Sequence, residues 1–299
     1  MYNDQLTLRK SAMHYLMLLP FFAVFGIFFL WPMVYGVAIS FMKWNGIQPP
    51  KFIGLQNYVK VLSSPVFYAS LKNLLIFTVS TLIIGISLSI FMAIIASQLS
   101  ERMNYFYRAV FFLPGILPLA LSAAIWKWQL APGIGAINVL ATKLGIPGVN
   151  WMTTPGLAIA AVVMVDFWRA SGFNILILMV GIKEAPAELY EAARVDGANT
   201  LQKVRFVTIP QLEPIIFLII TNGFIGALQV FDIPWILSQS SYIRVGSVGN
   251  VMIYPVMQIF GLTFGNQKLG EASTYSVFLL LATLIITGIW FAVRRKKDI

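Results

Sequence analysis

The composition of this chain excludes most classes of soluble protein. Its 299 residues are 59% hydrophobic and 11% charged, which leaves too little polar surface to coat a water-soluble globule of that size. The formal net charge is +10, but nucleic-acid-binding proteins gather their Lys and Arg on one water-soluble face. We therefore expect the chain to lie in membrane lipid and not to bind nucleic acid. The absence of cysteine removes disulfide frameworks and thiolate metal sites, and the single His14 stands near the N-terminus without a partner.

Long apolar segments predict an all-α integral membrane protein with six transmembrane helices in a single domain covering residues 1–299. A span needs about 20 apolar residues. The first segment also suits a secretory signal, but it is too long and lacks a convincing cleavage site. The predicted spans are about 15–40, 73–97, 109–126, 155–182, 214–235 and 272–293.

Prolines and a glycine interrupt the third segment. Pro114, Gly115 and Pro118 are consistent with a kinked helix beside a cavity, and equally with a helix that begins late. Both readings stay open from the sequence.

The basic residues predict the orientation, because cationic loops near helix ends stay in the cytoplasm. An even number of spans puts both termini on one side. With both termini in the cytoplasm, twelve Lys and Arg lie inside and eight lie outside, a modest bias whose best support is the basic tail. The twelve are Arg9, Lys10, Arg102, Arg108, Lys183, Arg194, Lys203, Arg205, Arg294, Arg295, Lys296 and Lys297.

The loop over residues 183–210 contains the signals of a short helix at about Pro186–Asp196. Pro186 suits the first helical position, where its missing N–H has no partner to lose. Glu188 lies in the first turn, near the positive end of the helix dipole, and Gly197 can supply a left-handed stop.

One face of this short helix is small and apolar. Leu189, Ala192, Ala193 and Asp196 share it at helical spacing. A helix of about ten residues is marginal alone in water, so we expect it to pack into a groove. The groove belongs either to its own bundle or to a partner.

The spacing of residues after this helix resembles a known signature. Glu191-Ala192-Ala193 is followed by three residues, Gly197, nine residues and then Val207-Thr208-Ile209-Pro210, which resembles the EAA signature of ABC importer permeases. Val207 and Ile209 replace the usual Ile and Leu. The stretches at residues 52–58 and 126–138 are similar to external loops of the sugar-type, maltose-system-like members, so the likeness covers nearly the whole chain.

This resemblance implies a type I ABC importer permease fold in the bacterial inner membrane, with the loop helix as a coupling helix. It implies four kinds of partner: a second homologous permease, two ATPase subunits, an extracytoplasmic solute-binding protein, and a sugar or oligosaccharide substrate. The chain would be a transport subunit and not an enzyme, and the ATPase subunits would bind ATP, since no phosphate-cradling Gly-x-x-x-x-Gly-Lys-Ser/Thr loop is present. The implied coupling residues are Glu188, Glu191, Ala192, Ala193, Asp196, Gly197 and Pro210.

Two charged residues lie inside the fourth segment. Asp166 and Arg169 are three residues apart, and each would cost roughly 2.5–3.5 kcal/mol at the bilayer centre, so we expect neither to face lipid. They form either a structural ion pair or a polar lining. Sugar contacts of maltose-type permeases lie on the matching fourth and fifth helices, and this resemblance implies Asp166, Arg169 and Phe173 as pathway candidates. Several other matching positions, such as Gly226, Ala227 and Val230, offer no side-chain hydrogen bond, so their polar neighbours Asn174, Asn222 and Gln229 are candidates as well.

Two other function classes were weighed against this one. A secondary transporter or channel would need an ion-coupling site and no ATPase-docking helix. A membrane enzyme would need catalytic or metal-binding motifs, and neither His-Glu-x-x-His nor Gly-x-Ser-x-Gly occurs, so we predict no catalytic residues and no metal site. The identity of the sugar and of the second permease is left open.

Overall fold

A computed structural model describes residues 16–238 and 251–295, which form a predominantly helical fold with one small hairpin. These residues group into two compact units, residues 16–64 with 259–281, and residues 65–238 with 251–258 and 282–295. The helices are α1 (Leu16–Ser40), α2 (Gln56–Leu62), α3 (Pro65–Ser97), α4 (Glu101–Ile116), α5 (Leu119–Gln129), α6 (Ala136–Lys143), α7 (Leu157–Glu184), α8 (Ala187–Val195), α9 (Thr200–Gln211), α10 (Glu213–Leu228), α11 (Asp232–Ser238), α12 (Pro255–Gly265) and α13 (Leu269–Arg295). The strands are β1 (Met42–Lys43) and β2 (Lys51–Phe52).

Within these described ranges, four helices are long and apolar enough to cross a membrane: α1, α3, α7 and α13, the last over Leu269–Ala292. Two bent pairs, α4 with α5 and α9 with α10, each pass the same test together, which raises the number to six. The predicted all-α fold with six membrane-spanning segments is therefore confirmed with each bent pair counted as one span. Arg9, Lys10, Lys296 and Lys297 lie outside the described residues, and the orientation of the termini stays a prediction.

The third segment differs in its bounds from the span predicted at 109–126. It begins earlier, at Glu101, and it breaks between Ile116 and Leu119, where α4 and α5 meet at 102°. The break follows from Pro118, which has no N–H to continue the helix and which forces Leu117 into an extended conformation (φ −68°, ψ 140°). The sequence allowed either a kinked helix or a helix that begins late. The structure contains the kink, and the late start is wrong.

The fifth segment also differs from the predicted span at 214–235. Helix α10 ends at Leu228, and the separate helix α11 begins at Asp232. The N–H groups of Gln229 and Val230 donate to carbonyls only three residues back, both at 3.2 Å, which tightens the last turn and ends the helix. The hydropathy of the segment continues past this point, so the sequence alone overestimated the length of the helix.

The unit of residues 16–64 and 259–281 is organised around Asn57. Its Nδ2 donates to the carbonyls of Ser40 and Met42, both at 2.9 Å, and thereby joins α2 to the end of α1 and the start of β1. Tyr58 Oη lies 2.7 Å from Ser40 Oγ. The stretch at residues 52–58, which the sequence singled out as a loop motif, thus has a local structural role.

In the other unit, Asn138 also joins separate parts of the backbone through its side-chain amide. Asn138, which is 2% exposed, donates through Nδ2 to the carbonyls of Leu130, Ala131 and Val149 at 3.1–3.3 Å. Its Oδ1 accepts the N–H of Val149 at 3.1 Å. Asn138 therefore holds the chain on both sides of α6 in place.

The core of the larger unit lies where α3, α7 and α10 meet. Small residues of α3 face larger apolar residues of the other helices, which lets the backbones approach closely. The buried cluster consists of Ala93, Ala96, Ile175, Leu178, Met179, Leu212 and Ile219. Its members come from helices that also line the cavity described next, so the core sets the position of the cavity walls.

Candidate functional site

The larger unit encloses a cavity of about 520 Å³ between α3, α4, α7, α10 and the start of α11. Every pathway candidate named from the sequence lines it, although the residues lie on different helices or in the segment after α10. These residues are Asp166, Arg169, Phe173, Asn174, Asn222 and Gln229. The structure therefore brings together six side chains that the sequence could place only on separate segments.

Helical periodicity explains why α7 supplies most of the charge. Asp166, Arg169, Ala170 and Phe173 recur at intervals of three or four residues and so occupy one face of the helix, which lines the cavity. Gly226 lines the wall formed by α10, and a Cβ placed there would have no atom within 4 Å. The absence of a side chain at Gly226 keeps this wall open.

The two intramembrane charges of α7 attract each other electrostatically without forming a close contact. Asp166 and Arg169 form no ion pair in the described part of the chain, and Asp166 makes no hydrogen bond there. The Nε of Arg169 is buried and also lacks a hydrogen-bond partner. Since buried polar groups are almost always paired, these groups are available to a ligand in the cavity. The closed structural ion pair, one of the two readings from the sequence, is not formed.

Several lining residues were missed from the sequence. Asp232, the first residue of α11, is exposed and adds a second carboxylate to the lining. A signal was available, because Asp232 lay inside the predicted fifth span and an ionisable residue within a span is a site candidate by default. Phe77, Thr81 and Phe112 of α3 and α4 also line the cavity, and no pattern in the sequence indicated them.

The loop helix α8 is present and is one residue shorter at each end than the predicted Pro186–Asp196. Pro186 has an extended conformation (φ −56°, ψ 126°), so it is the capping residue before the helix and not the first helical residue. Gly197 is left-handed, at φ +75°, as the sequence indicated. The N–H of Ala198 donates to the carbonyl of Ala193 at 2.9 Å and that of Gly197 to Arg194 at 3.1 Å, which completes a Schellman stop.

Most of α8 is exposed. Of the predicted coupling residues, Glu188, Glu191, Ala192, Asp196 and Gly197 are exposed, as is Pro210 further along the loop, while Ala193 is half-buried. One side-chain bond secures the helix: Tyr190 Oη lies 3.1 Å from Oγ1 of the buried Thr208 in α9. Val195 is 87% exposed, which leaves an apolar side chain at the end of the helix.

Helix α9 leads from α8 to the cavity wall. Asn199 and Gln202 form a capping box at its start, with bonds of 2.8 and 2.9 Å. The helix contains a wide turn at Val204–Thr208, next to Pro210, which cannot donate a backbone hydrogen bond. It then bends by 68° into α10, where Asn222 lines the cavity. Pro210 therefore lies before the bend, as the sequence suggested for the exit of the loop.

Comparisons with known proteins agree with these features. Residues 85–296 match the family described as binding-protein-dependent transport system inner membrane component. The chain is 30% identical to a probable ABC transporter permease of Pyrococcus horikoshii, over 91% of each chain. It is 30% identical to the trehalose/maltose transport system permease protein MalF of Thermococcus litoralis, over 95% of each chain. It is also 30% identical to the arabinooligosaccharides transport system permease protein AraP of Bacillus subtilis, over 93% of this chain and 87% of the AraP chain.

The fold has a close structural counterpart. A crystal structure of a bacterial ABC transporter that imports the acidic polysaccharide alginate contains a chain that matches with a TM-score of 0.84 over 97% of both chains, at 23% identity. The type I permease fold predicted from the loop signature is confirmed, and a secondary transporter or channel finds no support. The chain belongs to the family of binding-protein-dependent transport system inner membrane components, and it is a permease subunit of an ABC importer rather than an enzyme.

Proposed function

We propose that this permease forms half of a pathway for a sugar or oligosaccharide and that two ATPase subunits drive it through α8. A second homologous permease would form the other half, and an extracytoplasmic solute-binding protein would deliver the substrate. Both termini and α8 then face the cytoplasm, where ATP is available. The permease itself needs no cofactor.

The observation that carries this proposal is the path from α8 to the cavity. A partner that moves α8 also moves Thr208, because Tyr190 is bonded to it and Thr208 is buried in α9. Helix α9 continues through the bend into α10, which lines the cavity with Asn222, Gly223 and Gly226. A displacement of the exposed helix therefore changes the cavity wall through backbone connections and one side-chain bond.

The chemistry of the cavity supports a sugar. Carboxylates accept hydrogen bonds from hydroxyl groups, while the guanidinium of Arg169 donates them and the amides of Asn174 and Asn222 do both. Phe112 and Phe173 offer aromatic faces on which the apolar face of a sugar ring can stack. A volume of about 520 Å³ lies within the roughly 300–1,000 Å³ typical of ligand sites. The sugar-transport names of the relatives support the same class.

Affinity purification tests the ATPase coupling directly. A tag on this chain, expressed in its native host, should recover an ATPase and a second permease. Glu191→Lys, which reverses a charge on the exposed surface of α8, should reduce recovery of the ATPase while the protein remains inserted. Glu101→Lys is the matched control, since Glu101 is also an exposed carboxylate but belongs to α4. Equal recovery of the ATPase with both variants would contradict the docking role of α8.

Two substitutions at Gly197 separate docking from local strain. Gly197→Arg and Gly197→Ala both add a Cβ where no atom lies within 4 Å and both place a residue other than Gly or Asn in the left-handed conformation, so they share the local strain and differ in side-chain length. If α8 docks on an ATPase through this end, the long Arg side chain should abolish transport while Ala retains most of it. Normal transport with Gly197→Arg would count against the proposal.

The substrate pathway is tested with Asp166→Ala and Arg169→Ala. Each removes one hydrogen-bonding group from the cavity lining, so each should change the substrate concentration at which ATP hydrolysis by the reconstituted transporter is half-stimulated. An unaltered concentration dependence with both variants would rule out the cavity as a sugar site.

A further inference from the structure

The cavity lining contains two carboxylates and one guanidinium. Asp166 and Asp232 are the acidic residues of the described lining, and Arg169 is its basic residue. With both carboxylates ionised the lining has a net charge of −1, and with one protonated it is neutral. In neither state is the net charge of the lining positive.

The position of Asp166 reinforces this balance. Asp166 and Arg169 are three residues apart on one face of α7, which places their Cβ atoms about 5–6 Å from each other. An anionic group that reaches the buried Nε of Arg169 therefore lies on the same face of α7 as the Asp166 carboxylate. The anion and the Asp166 carboxylate are both attracted by the guanidinium, and the repulsion between their negative charges weakens binding of the anion.

Hydroxyl groups and carboxylates differ in what they can satisfy. A sugar hydroxyl both donates and accepts, so it can donate to Asp166 and accept from Arg169 at once. A carboxylate or sulfonate on the sugar only accepts. It can satisfy Arg169 but donates no hydrogen bond to Asp166 from the same position, and a half-buried carboxylate left without a donor destabilises the complex.

We propose that this cavity selects uncharged sugars over anionic ones and that Asp232 is a specificity-determining residue alongside Asp166. The proposal rests on the proposed function, since it names the class of sugar that the same cavity takes. The structural counterpart that imports alginate has the same fold but an acidic substrate, so fold alone does not set this preference. The charged side chains of the lining set it.

A matched pair of small sugars tests the selectivity. Methyl glucoside and methyl glucuronide differ only in a hydroxymethyl group against a carboxylate. Their binding to the assembly that a tag on this chain purifies, washed free of the soluble binding protein, is measured by saturation-transfer NMR. We expect the glucoside to bind at least roughly tenfold more tightly than the glucuronide in low salt, where charge repulsion is least screened.

Variants that neutralise one carboxylate each test whether Asp166 and Asp232 cause the preference for the uncharged glucoside. Asp232→Asn and Asp166→Asn should each narrow the ratio of the two affinities by roughly tenfold, since each removes one repulsive charge. Glu213→Gln is the control, because it changes the net charge of the protein equally but Glu213 does not line the cavity. It should leave the ratio unchanged.

The outcomes separate the two proposals. Equal binding of both glycosides to the wild-type assembly, or an equal effect of Glu213→Gln and Asp232→Asn, overturns the charge selectivity while the cavity remains a sugar site. Failure of the neutral glucoside to bind overturns the sugar pathway as well. If either Asn variant fails to fold, the ratio measured with the wild-type assembly still decides.

Discussion

Replacing Gly172 by Ala should separate two helices that line the cavity. Gly172 is buried in α7 where this helix meets α4, and a Cβ there would collide with the carbonyl oxygen of Phe111 and stand 2.8 Å from the Cα of Phe112. Both obstacles are backbone atoms, which cannot rotate away. Because carbon atoms normally approach to about 3.5–4.0 Å, α4 must withdraw by roughly 1 Å.

The magnitude follows from two opposing effects. Gly→Ala inside a helix stabilises by up to about 1 kcal/mol, whereas overpacking against a rigid neighbour costs about 1–3 kcal/mol. For Gly172→Ala we expect a net loss of about 1–2 kcal/mol. The control is Gly288→Ala in α13, where no atom lies within 4 Å of a Cβ, so only the favourable effect remains.

Thermal unfolding of the detergent-solubilised protein, followed by fluorescence-detected size exclusion, measures the difference. Gly172→Ala should lower the midpoint by roughly 2–6 °C, and Gly288→Ala should leave it unchanged or raise it. Equal midpoints for the two variants would refute the close backbone approach of α4 and α7.

Two further substitutions test single side chains. Tyr190→Phe keeps the aromatic ring but removes the 3.1 Å hydrogen bond to Thr208, which is worth about 1 kcal/mol. We expect the ATPase subunits still to bind, while substrate stimulates ATP hydrolysis less than in the wild type. Unchanged stimulation would exclude a role for this bond in coupling α8 to the cavity. Asn138→Leu leaves three carbonyls and the N–H of Val149 without the buried Asn138 side chain that they bond. It should cost about 3 kcal/mol and lower the midpoint of thermal unfolding well below that of the exposed control Asn150→Leu. A similar midpoint for both Asn variants would contradict the structural role of Asn138.

The loop helix shows where prediction from sequence succeeds. The start and the stop of α8 depend on Pro186 and Gly197, whose backbone preferences act within a few residues of the chain. The structure shortens the predicted helix by one residue at each end and keeps Gly197 as the left-handed residue that follows it. What the sequence could not show is the contact of Tyr190 with Thr208, because the two residues are 18 positions apart.

The cavity shows where prediction is incomplete. The cost of burying charge in a membrane identified Asp166 and Arg169, and the same reasoning applies to Asp232. Asp232 was missed because hydropathy extended the fifth span past Leu228, where the helix in fact ends. Hydropathy averages over a window, whereas the end of a helix depends on individual hydrogen bonds.

The sequence by itself determined the membrane-spanning segments, the loop helix and the family signature, because hydropathy, capping and motif spacing are properties of neighbouring residues. The tertiary structure alone decided that Asp166, Asn222 and Asp232 share one cavity, since three separate helices contribute them. It also decided the 102° break between α4 and α5. Pro118 ends the helix locally, but the angle of the break depends on the helices packed around it, and those contacts join residues far apart in the chain.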